Sequence, residues 1–122
     1  MKKLLIIDDD EDIRFIVKMI LERSGRYTVL EAETASAGWA SLTRGDINVL
    51  LLDYLLPDAK GLDLLQQLQD ESLLQATQVV ILTARKDPDL EQQFKKAGAL
   101  AVLHKPFDPA HFFRTLETCL ES

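Results

Sequence analysis

The chain has 122 residues, 47% of them hydrophobic and 28% charged, which is one domain's length with enough apolar content to bury a core. A disordered tail, a collagen-like repeat and a disulfide scaffold are excluded. Twenty acidic against fourteen basic residues give a net charge of −6, yet five of the acids are consecutive, Asp8, Asp9, Asp10, Glu11 and Asp12. The acidity is therefore local, and a nucleic-acid binder relying on a basic face is disfavoured.

At the N-terminus, Met1-Lys2-Lys3 leads into a short apolar run, Leu4 to Ile7, before the acids begin. That run is too short for a secretory core segment and reads as a first strand. Residues 11–24 follow with helical period, Ile13, Ile16, Val17, Ile20 and Leu21 forming one stripe while Arg14, Lys18 and Glu22 point away. Tyr27 to Leu30 is a weaker strand, followed by a helix over 34–44. Ile47 to Leu52, broken only by Asn48, is the third strand, and a helix over 60–70 follows. Val79 to Leu82 and Leu100 to Leu103 are the last two strands, each preceding a helix, at 87–97 and 108–121.

Runs that are apolar without alternation belong in strands covered on both faces, as in parallel sheets, and the two weaker strands suit the sheet edges. Gly25, Gly45 and Gly98 fall just past helix ends, where a left-handed residue is wanted. Strand and helix alternate five times, which predicts one α/β domain over 1–122, a doubly wound five-stranded parallel sheet. No apolar run is long enough to span a bilayer. The single Cys119 cannot close an intrachain disulfide and reads as inert, and the expected location is the cytoplasm.

In such a sheet the ligand site lies at the carboxyl ends of the strands, near the point where strand order reverses. Asp8 and Asp9 directly follow the first strand and Asp53 follows the third. Helix capping accounts for Asp10, Glu11 and Asp12, which meet unpaired N–H groups and the positive end of the helix dipole. It does not account for Asp8, Asp9 or Asp53. At about 5 Å and an effective dielectric near 20, each pair of those carboxylates repels by roughly 3 kcal/mol, so a cation must be near. A hard divalent ion such as Mg²⁺ suits one or two carboxylates completed by water and phosphate. Lys105, after the fifth strand, offers a second positive charge, although a solvated surface lysine is the ordinary alternative. Thr83, closing the fourth strand, is explained as well by strand preference as by function.

These residues sit at four of the five strand ends, and here the sequence resembles the receiver domain of bacterial two-component response regulators. The matching stretches are LLIIDDDEDIR at 4–14, LLLDYLLPDAKG at 50–61, ILTA at 81–84 and KAGALAVLHKPF at 96–107. The resemblance implies a flavodoxin-like (βα)5 fold with strand order 2-1-3-4-5. It implies that Asp53 is phosphorylated by a sensor histidine kinase or histidine phosphotransfer protein, the chain catalysing only its own phosphorylation and dephosphorylation. Asp9 and Asp53 would hold Mg²⁺ directly and Asp8 through water, with the Leu55 carbonyl as a further ligand. Lys105 and the Thr83 hydroxyl would bind phosphoryl oxygens, and the Lys105–Pro106 bond would be cis. Pro57 and Gly61 match the loop after the phosphorylated aspartate. The output would pass through the surface of the fourth helix, fifth strand and fifth helix to a downstream protein or effector domain, with no direct nucleic-acid or membrane contact, from a monomer or weak homodimer.

Departures accompany the matches. Val102 stands where the family usually has an aromatic residue or histidine, and Leu100 and Ala101 stand where winged-helix members often carry acids used in dimer contacts. Leu55 and Arg85, two residues beyond Asp53 and Thr83, flank the path of the hydrolytic water in related receivers and predict a long-lived phosphoryl group. Phe15 and Met19, outward on the first helix, together with Ile13 and Phe107, mark an expected docking side for the phosphoryl donor, unless they pack against a neighbouring helix. His104, His111 and Trp39 read as surface or packing residues. Two alternatives remain at this stage: a pseudo-receiver that only binds proteins, and a phosphatase of the haloacid dehalogenase type, whose DxD opening Asp8-x-Asp10 imitates.

Overall fold

Parallel pairing of short apolar runs builds the molecule, seen in a computed structural model that describes residues 1–121. The strands are β1 (Lys2–Ile7), β2 (Tyr27–Ala32), β3 (Val49–Asp53), β4 (Gln78–Thr83) and β5 (Ala101–His104). They alternate with α1 (Glu11–Arg23), α2 (Ala35–Thr43), α3 (Gly61–Asp70), α4 (Pro88–Lys96) and α5 (Pro109–Leu120). The sheet order is β2-β1-β3-β4-β5, every neighbour parallel, so the two weaker strands are indeed its edges.

The alternation of side chains across the sheet divides the core in two. Leu5 and Ile7 of β1, Leu50 and Leu52 of β3, and Val79 and Ile81 of β4 face α2, α3 and α4, meeting Leu65 and Phe94. Leu4, Ile6, Val49, Leu51, Val80 and Leu82 face α1 and α5, meeting Val17, Leu21, Phe112 and Leu116. Because both faces are covered, the central strands need no polar alternation. Trp39 and Val102 are half-buried on the first of these layers.

Element boundaries follow local hydrogen bonding. Asp10 caps α1, its carboxylate accepting from the Asp12 and Ile13 amides at 2.9 and 3.3 Å. Asp87 and Asp108 cap α4 and α5 in the same way, each followed by a proline in the first turn. Ile47 lies outside β3, because Asn48 exchanges bonds with Lys3 and the Ile47 carbonyl accepts from the Thr77 hydroxyl at 2.7 Å. Gly98 has φ +105, a conformation open to few other residues. Arg14 is a correction to the expected polar side of α1: its side chain is only 13% exposed and folds back toward the first loop.

Candidate functional site at the carboxyl ends of the strands

The register of the sheet sets the site. Ile7 of β1 pairs with Leu52 of β3, so the next residue on each strand, Asp8 and Asp53, emerge side by side. This is the place where strand order reverses, β2 lying to one side of β1 and β3 to the other. On the far side, Thr83 is paired with His104, and the Lys105 amide donates to the Thr83 carbonyl at 2.8 Å. The Lys105–Pro106 bond is cis, as the resemblance implies. The β3–α3 loop is drawn tightly back: the Gly61 amide donates to the Tyr54 carbonyl, and a Cβ at Gly61 would collide with the Asp53 carbonyl oxygen. Only glycine fits there.

Asp8, Asp9 and Asp53 each offer a carboxylate oxygen within 4.8 Å of the others. Asp8 and Asp53 are buried and Asp9 is exposed. Lys105 is the nearby cation in the chain itself, its Nζ 2.6 Å from Asp8 Oδ2 and 3.5 Å from Asp53 Oδ1. Asp8 Oδ1 accepts from the Asp10 amide at 2.9 Å. Burial, and then the charge of Asp8, push Asp53 from 3.8 up to about 6, with Lys105 and the Tyr54 amide opposing. Burial works against the charge on Lys105, but its hydrogen bond to Asp8 and the charges of Asp53 and Asp8 outweigh it and raise its pKa.

The carboxylates suit a hard cation, which takes oxygen ligands and keeps water in part of its shell.

Over these groups opens a cavity of about 500 Å³ lined by Asp9, Asp53, Tyr54, Leu55, Thr83, Ala84, Arg85 and Lys105. A groove of about 570 Å³ between α3 and α4, bordered by Gln66, Gln69 and Gln93, has no such convergence of carboxylates. The Thr83 hydroxyl oxygen accepts from the Arg85 amide at 3.0 Å, which leaves its proton free to be donated. The Arg85 guanidinium lies 5.7 Å from the centre of the Tyr54 ring, and that ring meets Phe94 of α4 edge-on at 5.7 Å. Leu55 is 56% exposed at the rim.

All five strand-end residues predicted from sequence thus converge. His104 and His111 stand apart from them, His104 against Glu91 at 3.2 Å and the exposed His111 against Asp108 at 2.6 Å. Burial pushes the half-buried Cys119 thiol up, which suits an unreactive group. Phe15 is 65% exposed and Met19 36%, while Phe107, expected to border the same patch, packs instead on the core with its ring 4.6 Å from Phe112 of α5. Sequence reasoning missed the Tyr54–Arg85 stack. It also missed Asp58, whose carboxylate accepts from the Ala35 and Ser36 amides at 2.8 and 3.0 Å and is held below its usual range by those bonds.

The response regulator receiver domain profile matches residues 4–117, and the chain belongs to that family, the receivers of two-component signal transduction. It is 32% identical over 119 residues to the phosphate regulon transcriptional regulatory protein PhoB of Pseudomonas aeruginosa, spanning 98% of this chain and 52% of that protein. It is 33% identical over 119 residues to the chemotaxis protein CheY1 of Helicobacter pylori, spanning 97% of this chain and 96% of the relative. The chemotaxis response regulator CheY4 of Vibrio cholerae superposes with a TM-score of 0.89 at 28% identity, over 98% of both chains. The chain therefore spans about half of PhoB and nearly all of CheY1.

The raised Asp53 pKa is a stability statement. In the unfolded chain Asp53 loses its proton near pH 3.8, in the folded chain near 6, so across that window the unfolded state binds fewer protons and metal-free stability falls as pH rises. The whole effect amounts to about 3 kcal/mol. Asp53→Asn, which removes the charge and keeps the shape, is expected to stabilise the metal-free protein by about 1–3 kcal/mol near pH 7.5 and by little near pH 4. Urea denaturation in the presence of a chelator measures this, and a variant less stable than wild type near pH 7.5 contradicts it.

Proposed function

We propose that Asp53 is the phosphoacceptor of this receiver, taking a phosphoryl group from a phosphohistidine on a sensor histidine kinase or histidine phosphotransfer protein. The observation that carries this reading is the placement of Lys105 across Asp8 and Asp53, at 2.6 and 3.5 Å, below an open cavity of about 500 Å³. In the transfer a carboxylate oxygen of Asp53 forms the new P–O bond while the P–N bond to the donor imidazole breaks. Lys105 then pairs with a phosphoryl oxygen, and Thr83 donates its hydroxyl proton to another. Asp8, Asp9 and Asp53, with the Leu55 carbonyl, would hold Mg²⁺. The ion, when bound, neutralises carboxylate and phosphoryl oxygens together.

The exposed Phe15 and Met19 on α1 support donor docking on that side of the site. The surface of α4, β5 and α5 is the proposed output side, toward a downstream protein or effector domain in the cytoplasm. Val102, half-buried there, is too short and stiff at χ1 to act as a swinging ring. The dehalogenase reading is not favoured: Asp10, the second acid of its DxD opening, is spent on capping α1. In a purely protein-binding pseudo-receiver the Lys105 bridge would serve only to offset the repulsion between Asp8 and Asp53, and the open cavity above it would have no use.

Incubation with acetyl phosphate followed by intact-mass measurement tests the proposal. Wild type is expected to gain one phosphoryl group only with Mg²⁺, and Asp53→Asn none. Labelling that persists in Asp53→Asn or without the metal overturns the assignment.

Leu55 and Arg85 extend the reading to the lifetime of the phosphoryl group. An apolar side chain at the rim gives water no hydrogen bond, and a guanidinium held over Tyr54 stands within the same cavity, so in-line attack by water is hindered. Leu55→Asn and Arg85→Ala are each expected to speed loss of the phosphoryl group several-fold. Decay rates unchanged in both variants would remove shielding as the cause.

A further inference from the structure

Arg14 has no role in the arrangement above, yet it is the most fully engaged cation on α1. Its Nη1 donates to the Asp8 carbonyl at 2.9 Å, and its Nε donates to Oε1 of Glu31, the penultimate residue of β2, at 3.1 Å. The other oxygen of Glu31 faces Lys18 at 3.9 Å. The Arg14 side chain is 13% exposed, against 44% for Lys18 one turn further on. A planar fork with several donors in fixed directions can tie two acceptors from different elements; a lysine cannot do so with the same geometry.

The acceptor matters. The Asp8 carbonyl belongs to the peptide that joins Asp8 to Asp9, and the Asp8 amide on its other side is held by the Ala32 carbonyl at 3.0 Å. The Asp8 side chain is already fixed by the Asp10 amide and Lys105. Asp9, exposed and carrying the third carboxylate, has no such side-chain anchor among the described residues, so its direction depends on the peptide before it. The start of α1 does not need Arg14, since Asp10 supplies the cap.

We infer that Arg14 is a positioning residue of the cation site, locking the Asp8–Asp9 peptide so that the Asp9 carboxylate faces Asp53. The inference rests on the reading of Asp8, Asp9 and Asp53 as a Mg²⁺ site. It makes a prediction opposite in sign to simple electrostatics. Removing a positive charge beside an acidic cluster should tighten binding of a divalent cation; removing a positioning partner should weaken it, typically by about tenfold or more.

Mg²⁺ titrations of the full chain by calorimetry, with folding checked by denaturation, separate the two. Arg14→Gln is expected to bind Mg²⁺ about tenfold more weakly than wild type. Lys18→Gln, which removes an equal charge without touching the Asp8 carbonyl, is expected to bind equally or slightly more tightly. Affinity that is unchanged or increased in Arg14→Gln overturns the inference, as does an equal loss in both variants. Should Arg14→Gln not fold, Arg14→Lys carries the test, because it keeps the charge and loses the fork: weaker binding supports positioning and wild-type affinity overturns it. A wild type that binds no Mg²⁺ defeats the cation-site reading itself, whereas binding by wild type and Arg14→Gln alike leaves that reading standing and defeats only the role of Arg14.

Discussion

Three carboxylates brought within 4.8 Å of one another form an arrangement that a folded chain accepts only with compensation. Each close pair repels by roughly 3 kcal/mol at an effective dielectric near 20. The rest of the site answers that repulsion. Lys105 reaches across from the end of β5 to Asp8 and Asp53. The Asp10 amide caps one oxygen of Asp8, and Asp9 is left toward solvent. Burial, and then the charge of Asp8 that Lys105 only partly offsets, leave Asp53 with a pKa near 6. A group held in that condition gains stability from any bound cation, so the same strain that weakens the metal-free fold favours metal binding.

The parallel sheet is what makes the arrangement possible. With every strand running the same way, all carboxyl ends share one edge, and the in-register pairing of β1 with β3 and β4 with β5 brings four of them into one cavity. The two-layer core supplies the rigidity, since strands covered on both faces have little freedom to shift. The same cavity touches α4 through an aromatic route, Arg85 over Tyr54 and Tyr54 against Phe94. Val102, on the same layer of the core, offers no ring of its own.

The fold was legible because its strands are apolar without alternation and its helices have a readable cap or glycine stop, as at Asp10, Gly25 and Gly98. Asp8, Asp9 and Asp53 were legible because each stands at the end of a buried apolar strand, where a carboxylate needs a reason; Thr83 and Lys105 gained theirs only from the resemblance to receiver domains. What escaped was contact between elements distant in sequence. Arg14 reads as a surface residue on a helical projection, and nothing local announces Glu31 or the Asp8 carbonyl as its acceptors. Asp58 looks like an ordinary loop acid, yet it caps α2, twenty-three positions earlier in the chain. Tyr54 reads as one more apolar residue after the third strand until α4 and Arg85 are folded around it.

At the centre of the site, burial and a carboxylate neighbour hold the Asp53 pKa above the ordinary carboxylate range. A ¹³C NMR titration of the Asp53 carboxyl carbon in the metal-free protein measures this directly. The expected midpoint is about 6, falling toward the ordinary carboxylate range in Asp8→Asn, where the neighbouring charge is gone, and on addition of Mg²⁺. A midpoint near 4 in the metal-free wild type, unmoved by either change, would contradict the account.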